Sequence, residues 1–546
     1  MAEILKQIQN LIKGEIKDDS ATLGLFSTDA SFYKVWPRAV VYPKDVADIQ
    51  AVVKFAAQEK AAGRDISLTA RGAGTDMSGG ALGQSLILSL PKYFNRIRSF
   101  GQDFVVAEAG VFYRDLEKEA STRNLLLPSF PASKEICTVG GMVANNSGGE
   151  LNLQYGKTER YVRELKMVCS DGQEYLFKPL SALELKKKQQ KDGFEGGLYR
   201  QLFELVDKNY DLLKAAKPQV SKNSAGYYLW NVYDRQTGIF DPTQLLVGSQ
   251  GTLGVITEIK FGLVEPRLHE RLVVIFLNDL QQIPNVVGKL LKFNPQSIES
   301  YDDKTFRLAI KLLPDIVARL KGGIFKLLFG FLPELWMALT GGIPKLVLLA
   351  EFSGDSEREA GAIARQAQES LKEFNLKTKL IDSPADAEKY WIIRRESFNM
   401  LRHHVRGMRT APFIDDFVVR PEALGEFLPK LYPILNKYNL TYTIAGHVGD
   451  GNFHIIPLIK LKDPKAAEMV KNLGKEVYDL VFAYKGSMSG EHNDGLVRSH
   501  YLLQMYGPAV YKLFEQTKKI FDPQDIFNPG KKVNSSFEYS QQHLDI

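Results

Sequence analysis

Cysteine is almost absent from the sequence: Cys137 and Cys169 are the only two in 546 residues. Two cysteines exclude a disulfide framework and suit a reducing compartment, so we expect a cytoplasmic protein. Acidic residues interrupt the short apolar runs of residues 1–19, which argues against a signal peptide and predicts an amphipathic helix. Its apolar face comprises Ile4, Leu5, Ile8, Leu11 and Ile12.

Long apolar runs are also scarce, and the most apolar stretch is 323–350. A membrane-spanning helix needs about 20 predominantly apolar residues, but Lys326, Glu334 and two prolines interrupt this stretch. The sequence therefore excludes a transmembrane segment and leaves two alternatives. One is a buried helical insert, and the other is a patch that dips into a membrane surface, favoured by Trp336 and basic flanks.

Charge of one sign is not concentrated along the chain, whose formal net charge is only +6. The lysine run 186–188 is typical of a solvated loop, so we expect no nucleic-acid partner. A hydrophobic content of 44% and a charged content of 25% are those of an ordinary globular protein. At this length the chain is expected to form two or three domains.

Strand and helix patterns are mixed along the chain, without the regular alternation of a doubly wound sheet. A helix pattern that stops at Gly63 lies between two predicted strands, and a hairpin is predicted around Asp171 and Gly172. From about residue 266 the pattern predicts an antiparallel sheet with helices, and a polar tail follows the last helix. The fold class is therefore expected to be α+β.

Three of the eight histidines fall in two short segments, HVGDGNFH at 447–454 and GEH at 490–492. A hairpin at the Gly-Asp-Gly turn would bring His447 and His454 alongside each other. With Glu491 they would form a three-ligand metal site with an open position, leaving His492 as a base. The alternative is that each histidine is simply solvated or hydrogen-bonded, which is the usual state of an isolated histidine near a turn.

Three glycine-rich segments occupy the other half of the chain: RGAGTDMSGG from Arg71, PASKEICTVGGMVANNSGG from Pro131, and GTLGVITE from Gly251. The first fails the dinucleotide fingerprint, because Met77 stands at its third glycine, and it lacks the lysine of a P-loop. Its successive amides could still form an anion-binding nest, to which Arg71 adds charge. Taken singly, each segment is equally compatible with a structural turn.

In this order, the three segments resemble the flavin-binding half of FAD enzymes of the vanillyl-alcohol-oxidase (PCMH) type. The motifs H-x-G-D-G-N-x-H, G-E-H and F-D-P-x-x-I-F-N-P-G-K resemble the glycolate oxidase, D-lactate and D-2-hydroxyglutarate dehydrogenase branch. The resemblance implies a two-subdomain FAD-binding domain, a ferredoxin-like cap with an antiparallel sheet, and a tail that returns to the FAD domain. The corresponding bounds are an N-terminal helix in 1–30, the FAD domain in 31–265, the cap in 266–507 with an insert at 303–344, and the tail in 508–546.

The resemblance also implies how the cofactor is held. The first segment would wrap the FAD pyrophosphate, and the second would line the ribityl chain and the isoalloxazine. Thr75-Asp76 replaces the histidine that attaches the flavin covalently in some relatives, so we expect non-covalent FAD. The residues expected to contact FAD are Arg71, Gly72, Ala73, Gly74, Thr75, Gly79, Pro131, Ser133, Thr138, Gly140, Gly141, Asn145, Ser147, Gly254, Ile256 and Asn528.

In the catalytic half, the resemblance assigns His447, His454 and Glu491 to a divalent metal, either Zn²⁺ or Mn²⁺. It makes His492 the general base and Arg394 the arginine that binds the substrate carboxylate. Relatives specific for 2-hydroxyglutarate carry a threonine and a lysine where this chain has Phe398 and, nearby, Ile414. This departure argues against a second carboxylate on the substrate.

The expected activity is therefore oxidation of a D-2-hydroxy acid, such as D-lactate or a glycolate-like acid, to the 2-oxo acid. Hydride would pass to FAD, and the electron acceptor is left open between a quinone, a cytochrome, an electron-transfer flavoprotein and oxygen. One alternative is a transferase similar to alkyl-glycerone-phosphate synthase. Another is a flavin-bearing binding protein with a vestigial site. Peripheral contact with the inner face of a membrane is the alternative to a purely cytoplasmic location.

Overall fold

The computed structural model describes residues 2–311, 343–383, 386–395, 407–460 and 463–545. Most of the apolar stretch 323–350, and Phe398, lie outside these residues. Within the described residues, no helix combines the length and the apolar character that crossing a membrane requires. The N-terminal helix forms over Ala2–Leu11, with Leu5 and Ile8 buried, but Leu11 is 53% exposed and does not share the predicted buried face.

The first sheet has four strands in the order β1-β2-β4-β3. β2 and β3 both run parallel to β4, because the helix Val46–Ala61 carries the chain across between them. β4 is buried along its whole length, as expected of a strand covered on both faces. The strands are β1 (Glu15–Lys17), β2 (Ala39–Tyr42), β3 (Leu68–Arg71) and β4 (Leu86–Ser89).

The second sheet is antiparallel, with five strands in the order β5-β6-β11-β7-β8. β7 and β8 form the hairpin predicted around Asp171 and Gly172, and Gly172 has a φ of 71°. A small separate hairpin joins β9 to β10. The strands are β5 (Ile97–Phe100), β6 (Phe104–Glu108), β7 (Val162–Val168), β8 (Glu174–Phe177), β9 (Tyr233–Asp234), β10 (Ile239–Phe240) and β11 (Val255–Gly262).

The third sheet confirms the predicted ferredoxin-like cap. Four of its strands lie in the order β15-β12-β14-β13, with the helix Ile283–Leu291 between β12 and β13 and the helix Glu357–Ser370 between β14 and β15. The β18–β19 hairpin extends this sheet beyond β13. The strands are β12 (His269–Leu277), β13 (Ser297–Asp302), β14 (Leu346–Gly354), β15 (Lys377–Ile381), β16 (Met408–Thr410), β17 (Phe417–Val418), β18 (Thr441–His447) and β19 (Asn452–Lys460).

Helices cover these sheets and connect them. The residues 386–395 that contain Arg394 are helical. The other α-helices in the described part of the chain span Ser20–Phe26, Tyr113–Ser121, Val139–Asn145, Asn152–Tyr155, Ala182–Gln189, Gly193–Lys208, Tyr210–Ala216, Thr243–Leu246, Asp303–Lys311, Leu424–Lys437, Ala466–Ala483, Gly495–Arg498, Leu502–Phe521 and Phe537–Gln542.

The tail returns to the first sheet, as predicted. The amide of Leu68 donates to the carbonyl of Ile526 at 2.7 Å, and the amide of Asn528 donates to the carbonyl of Leu68 at 2.8 Å. This pairing adds the tail to β3 immediately before the first glycine-rich segment. The tail therefore helps to fix the turn in which a phosphate group is expected.

Candidate functional site

The β18–β19 hairpin brings two predicted ligands together. Ala445 pairs with His454 across the hairpin, and a short 3-10 turn at Val448–Asp450 closes it. Gly451 ends this turn at a φ of 69°, and a Cβ there would meet the carbonyl oxygen of Val419 at 1.7 Å. The His447 and His454 ring centroids are 5.2 Å apart, at an interplanar angle of 88°. The predicted hairpin is confirmed.

One carboxylate oxygen of Glu491 is the point on which three imidazoles converge. Its Oε1 lies 3.2 Å from Nε2 of His447, 3.3 Å from Nε2 of His454 and 4.0 Å from Nε2 of His492. All of these groups except His492 belong to the metal set predicted from sequence. A cation among these inward-facing atoms would meet two imidazole nitrogens and one carboxylate oxygen, which is a donor set that transition metals use.

A carboxylate lies beside the opposite nitrogen of each imidazole. Nδ1 of His447 is 2.5 Å from Oε1 of Glu299, while Nδ1 of His454 and of His492 are 3.0 Å and 2.6 Å from the two oxygens of Asp415. A carboxylate behind a histidine fixes the tautomer and the ring orientation, so that Nε2 faces the site. Glu299 and Asp415 were not predicted, because they come from other strands and loops.

This arrangement shifts the ionisation of the groups in it. Burial opposes a proton on His454, but Asp415 and Glu491 outweigh that effect and raise its pKa to about 10. Burial also opposes a charge on His492, and Asp415 with Asp416 raises its pKa above the ordinary value. Positive charge is favoured here, whether it is carried by protons on the imidazoles or by a metal cation.

Asp416 is another possible ligand, since its donor atoms and those of His454, Glu491 and His492 lie within 4.8 Å of one another. Its carboxylate, however, already accepts hydrogen bonds from the amides of Glu491 and His492 at 3.0 and 2.7 Å and from the hydroxyl of Ser489 at 2.7 Å. These bonds make Asp416 the support of the GEH segment. Nε2 of His447 is the better third donor.

Lys222 is a site residue that sequence reasoning missed. Its ammonium lies 3.5 Å from Oε2 of Glu491 and 3.3 Å from Oδ2 of Asp450, and its side chain is 1% exposed. Burial opposes this charge, but Asp450, Glu491 and Glu299 outweigh it and raise the pKa. Lys222 precedes Asn223 in an otherwise ordinary polar loop, so composition gave no signal for it.

Arg394 reaches the same cluster from its helix. Its Nε and Nη2 both lie 2.9 Å from Oε2 of Glu299, whose other oxygen binds His447. Burial opposes the charge of Glu299, but His447 and Arg394 outweigh it and lower the pKa of Glu299 to about 2. Arg394 therefore lies close to the imidazole cluster and is tied to it through Glu299.

The first and second glycine-rich segments meet in the FAD half. Thr138 caps the helix Val139–Asn145 by accepting the amide of Gly141, and a Cβ on Gly72 would meet the Thr138 hydroxyl at 2.2 Å. Asn145 donates to Asp76 at 2.9 Å. The first segment thus lies directly against the helix start that was expected to line the cofactor.

Asp76 organises the first segment. It accepts the amide of Gly80 at 2.6 Å and the hydroxyl of Ser78 at 2.8 Å. Asn528 of the tail donates to the carbonyls of Gly80 and Gln250, each at 2.8 Å. These bonds join the first segment, the tail and the start of the third segment, so residues expected around FAD are brought together.

Three other predicted FAD residues make contacts that support the fold of the FAD half. Arg71 donates to the carbonyls of Phe26 and Thr28 at 2.9 and 2.7 Å. Its guanidinium therefore ties the first glycine-rich segment to the chain at residues 26–28. Gly254, at a φ of 157°, lies against Met167 and Val168 of β7, where a side chain would collide. Ile256 pairs with Met167 in the same sheet.

The asparagine side chain of Asn493 links the two halves. It donates to the carbonyl of Asn145 at 3.0 Å and to that of Gly248 at 2.9 Å. Asn493 directly follows His492, and Asn145 ends the helix expected to line the flavin. The predicted base is therefore a neighbour of the second glycine-rich segment, residues 131–149, which is called the predicted flavin segment below. Pro131 and Ser133 lie in the turn before that helix, where a Cβ on Gly149 would meet Cα of Pro131 at 3.4 Å.

Comparisons with known proteins identify two domains in the chain. A model of the FAD binding domain matches residues 37–176, and a model of the FAD linked oxidases, C-terminal domain, matches residues 267–532. The chain is 28% identical over 536 residues to D-2-hydroxyglutarate dehydrogenase of Pseudomonas putida, covering 97% of this chain and 51% of that protein. It therefore spans about half the length of that relative.

A relative of similar length is D-lactate dehydrogenase of Anaerostipes hadrus, 27% identical over 546 residues, with 97% of this chain and 96% of that protein covered.

Among solved structures, p-cresol methylhydroxylase with substrate bound has a TM-score of 0.69 at 15% identity, covering 98% of this chain and 97% of that one. Alkyldihydroxyacetonephosphate synthase has a TM-score of 0.65 at 13% identity, with 97% and 85% covered. These two likenesses show the fold. The two domain matches, in this order along one chain, show that the protein belongs to the FAD-linked oxidoreductases that join an FAD-binding domain to an FAD-linked oxidase C-terminal domain.

Proposed function

We propose that the protein oxidises a D-2-hydroxy acid to the corresponding 2-oxo acid, passing hydride to FAD. The observation that carries this proposal is the convergence of three imidazole Nε2 atoms on Oε1 of Glu491, in a loop bonded to the predicted flavin segment through Asn493. Oxidation of an alcohol requires a proton acceptor beside the hydride acceptor. A histidine with a carboxylate behind it, in a segment bonded to the predicted flavin segment, supports this proposal.

The donor set fits a divalent cation. Its ligands would be Nε2 of His447, Nε2 of His454 and Oε1 of Glu491, with a position left open for substrate. The buried Oε2 of Glu491 has no hydrogen-bond partner among the residues that the structure describes, although the Lys222 ammonium faces it at 3.5 Å. Such a cation would lower the pKa of a substrate hydroxyl. FAD, when bound, would supply the hydride acceptor.

His492 is the proposed base. Nδ1 of His492 is 2.6 Å from Asp415, so its Nε2 is the atom that would accept the hydroxyl proton, and Asp415 would stabilise the imidazolium that forms. Without a cation the pKa of His492 is raised. A cation beside Glu491 would oppose that rise by direct repulsion, leaving His492 neutral and able to accept a proton.

Arg394 is proposed to bind the substrate carboxylate. Its Nε and Nη2 share one oxygen of Glu299, and this pairing holds the guanidinium beside the imidazole cluster. A guanidinium presents its N–H donors in a planar fork, which suits a carboxylate. The carboxylate of a 2-hydroxy acid would then face the positive charge of Arg394, and its hydroxyl would face His492.

The proposed substrate is a monocarboxylic 2-hydroxy acid, such as D-lactate or a glycolate-like acid. Ile414, near the position where dicarboxylate-specific relatives are expected to carry a lysine, is fully buried and apolar. A buried apolar side chain would leave a second carboxylate unpaired, which is costly. Relatives include proteins named for D-lactate as well as for D-2-hydroxyglutarate, so both substrates belong in the test.

The decisive experiment is anaerobic reduction of the bound flavin. D-lactate, L-lactate, glycolate and D-2-hydroxyglutarate would be mixed with the oxidised protein while the flavin absorbance is followed. We expect bleaching by D-lactate or glycolate, with L-lactate inactive. A flavin that none of these acids bleaches would contradict the proposal. Bleaching by D-2-hydroxyglutarate alone would retain the chemistry and overturn the assigned substrate.

The physiological electron acceptor and a contact with membranes remain sequence-based proposals. A quinone lies in the bilayer, and 323–350 is the stretch with the composition of an interfacial anchor. Co-sedimentation with anionic vesicles would test this for the full chain and for a variant in which a short polar loop replaces 323–342. Equal sedimentation of the two proteins would contradict a membrane role for this stretch.

A further inference from the structure

Lys157 is a buried lysine at the point where three segments of the proposed site meet. Its side chain is almost completely buried, with the residue 3% exposed. It belongs to the FAD half and follows the second glycine-rich segment. Its ammonium donates to the carbonyls of Asn223 and Gly490, both at 2.6 Å, and to the hydroxyl of Ser224.

The bond from Lys157 to Gly490 acts on the segment that carries the proposed site residues. Gly490 precedes Glu491 and His492, so the bond from Lys157 fixes the backbone that carries the proposed ligand and base. Gly490 also accepts the hydroxyl of Ser224 at 3.1 Å, and the amide of Ser224 donates to the carbonyl of Ser489 at 2.8 Å. The GEH segment is thereby bound to the FAD half through Lys157 and its neighbours.

The same cluster also contacts the predicted flavin segment. The hydroxyl of Ser224 lies 3.3 Å from the carbonyl of Asn146. The residue after Lys157 donates its amide to the carbonyl of Ser147 at 3.1 Å, and the amide of Glu159 donates to Oδ1 of Asn146 at 3.0 Å. The 222–224 loop in turn carries Lys222, which faces Glu491. Lys157 therefore joins the flavin segment, this loop and the GEH segment.

All three acceptors of Lys157 are neutral. Among the described residues, no carboxylate lies within ion-pair distance of its ammonium. A buried ammonium without a counter-ion is costly for stability, so the fold alone gives little reason to retain it. What it supplies is three directed hydrogen bonds from a single atom, two to the 222–224 loop and one to the GEH segment.

We propose that Lys157 is a positioning residue, which sets the distance between the flavin and the GEH segment that carries Glu491 and His492. This inference rests on the proposed function for its kinetic consequences. Hydride and proton transfer need reacting atoms in near-attack geometry, and a displacement of about 1 Å caused by a remote substitution can cost about 10²-fold in rate.

The test compares Lys157→Met with Lys214→Met in flavin-loaded protein. Lys214 is a matched control because its ammonium also donates to two backbone carbonyls, those of Trp230 and Tyr233 at 2.6 and 3.1 Å, away from the GEH segment. For Lys157→Met we expect the limiting rate of anaerobic flavin reduction to fall about 10²-fold. The substrate concentration at half-saturation should change by less than about threefold.

A second measurement needs no substrate. Amide hydrogen exchange in the peptide spanning 487–495 should accelerate in Lys157→Met, while that peptide keeps the wild-type rate in Lys214→Met. Flavin content and the thermal midpoint should be retained in both variants. If no hydroxy acid reduces the wild-type flavin, the proposed function fails, while the exchange measurement still decides the role of Lys157.

Ser224→Ala provides a milder second variant, since it removes one acceptor of Lys157 and the contacts of the Ser224 hydroxyl with Gly490 and Asn146. It should give the same accelerated exchange and a smaller loss of rate. Wild-type rates and wild-type exchange in Lys157→Met would overturn the proposal. An unfolded Lys157→Met together with a fully wild-type Ser224→Ala would overturn it as well.

Discussion

A single residue, Asp415, controls the orientation of two imidazoles. One of its oxygens is hydrogen-bonded to Nδ1 of His454 and the other lies 2.6 Å from Nδ1 of His492, and both rings turn Nε2 toward Glu491. Burial opposes its charge, but the facing histidines outweigh that effect and hold its pKa well below the ordinary value. The site therefore depends as much on the carboxylates behind the rings as on the rings themselves.

Replacing His492 by Asn is expected to slow flavin reduction by about 10²- to 10⁴-fold, the usual contribution of a positioned base. Binding of the substrate should weaken much less, because Arg394 and the proposed metal ligands are retained. Stopped-flow reduction at a series of substrate concentrations separates the two effects. His269→Asn is the control, since His269 is a partly exposed histidine paired with Glu357. Native-rate reduction in His492→Asn would place the base elsewhere.

Arg394→Met should mainly weaken substrate binding, whereas His492→Asn should mainly lower the limiting rate. Removal of the guanidinium deletes a charged donor for the substrate carboxylate, so the substrate concentration needed for half-maximal reduction should rise at least about tenfold. It also frees Glu299, which binds His447, so a smaller loss of the limiting rate should accompany it. Lys289→Met, which removes a surface partner of Glu373, is the control. An unchanged half-saturation would contradict the assignment.

The burial of His500 predicts that this residue makes the free energy of unfolding depend on pH. Its ring nitrogens are buried without a hydrogen-bond partner among the described residues, and burial lowers its pKa to about 4. A depressed pKa means that its contribution is complete above the unfolded value of about 6.5 and is lost as the pH falls toward 4. At pH 5 the loss amounts to about 2 kcal/mol.

The matching experiment is denaturant unfolding of the wild type and His500→Phe at pH 7.5 and pH 5. Phe has a ring of similar size and should pack against Tyr501 and Phe537, the present neighbours of His500. The variant should gain stability relative to the wild type on going to pH 5. An equal pH response in both proteins would show that His500 does not titrate on unfolding.

At the scale of elements, the helix Val139–Asn145 and the loop at Gly72 fit together without spare room. A Cβ on Gly72 would meet the Thr138 hydroxyl at 2.2 Å, and this hydroxyl is engaged in capping the helix. Gly72→Ala should therefore displace the loop and weaken FAD retention, measured as flavin per protein after gel filtration. Gly197→Ala is the control, since its nearest neighbour would be a side-chain nitrogen at 3.8 Å. Full flavin content in Gly72→Ala would contradict this view of the loop.

Elements were predictable from sequence where their partners are close along the chain. The β18–β19 hairpin follows from its turn, and the helix capped by Thr138 follows from its glycines. Glu299 was not predictable, because it binds His447 across 148 residues. Lys222 and Asp415 also come from segments whose local patterns carry no chemical signal. Long-range pairing depends on the tertiary fold, which one sequence read by its local periodicity does not specify.

Across the whole molecule, the tail and the GEH segment connect the two halves. Lys532 of the tail donates to Asn493 at 2.6 Å and to Asp494 at 2.8 Å, in addition to the carbonyl of Gly226 at 2.8 Å. The histidines and the flavin segment are therefore parts of one interface. Loss of FAD and loss of the proposed metal should nevertheless affect flavin content and activity separately, because different residues are proposed to hold the two groups.

FAD attachment can be tested on the intact protein. Among the described residues, the first glycine-rich segment contains no histidine or cysteine, and Cys137 is buried with its pKa raised by burial to about 12. A buried, protonated thiol is a poor nucleophile. Acid precipitation should therefore release all of the yellow colour into the supernatant. Flavin that stays with the pellet would show a covalent bond, with Cys137 the first position to examine.

Metal removal should then separate catalysis from cofactor binding. The proposed ligands His447, His454 and Glu491 belong to the cap, whereas the contacts around Gly72, Thr138 and Asn145 belong to the FAD half. A chelator should abolish reduction of the flavin by hydroxy acid while the flavin stays bound, and Zn²⁺ or Mn²⁺ should restore it. His447→Ala should reproduce the chelated state and resist rescue. A verified metal-free protein that reduces its flavin at the full rate would exclude a catalytic metal and leave the imidazole cluster to act by proton transfer alone.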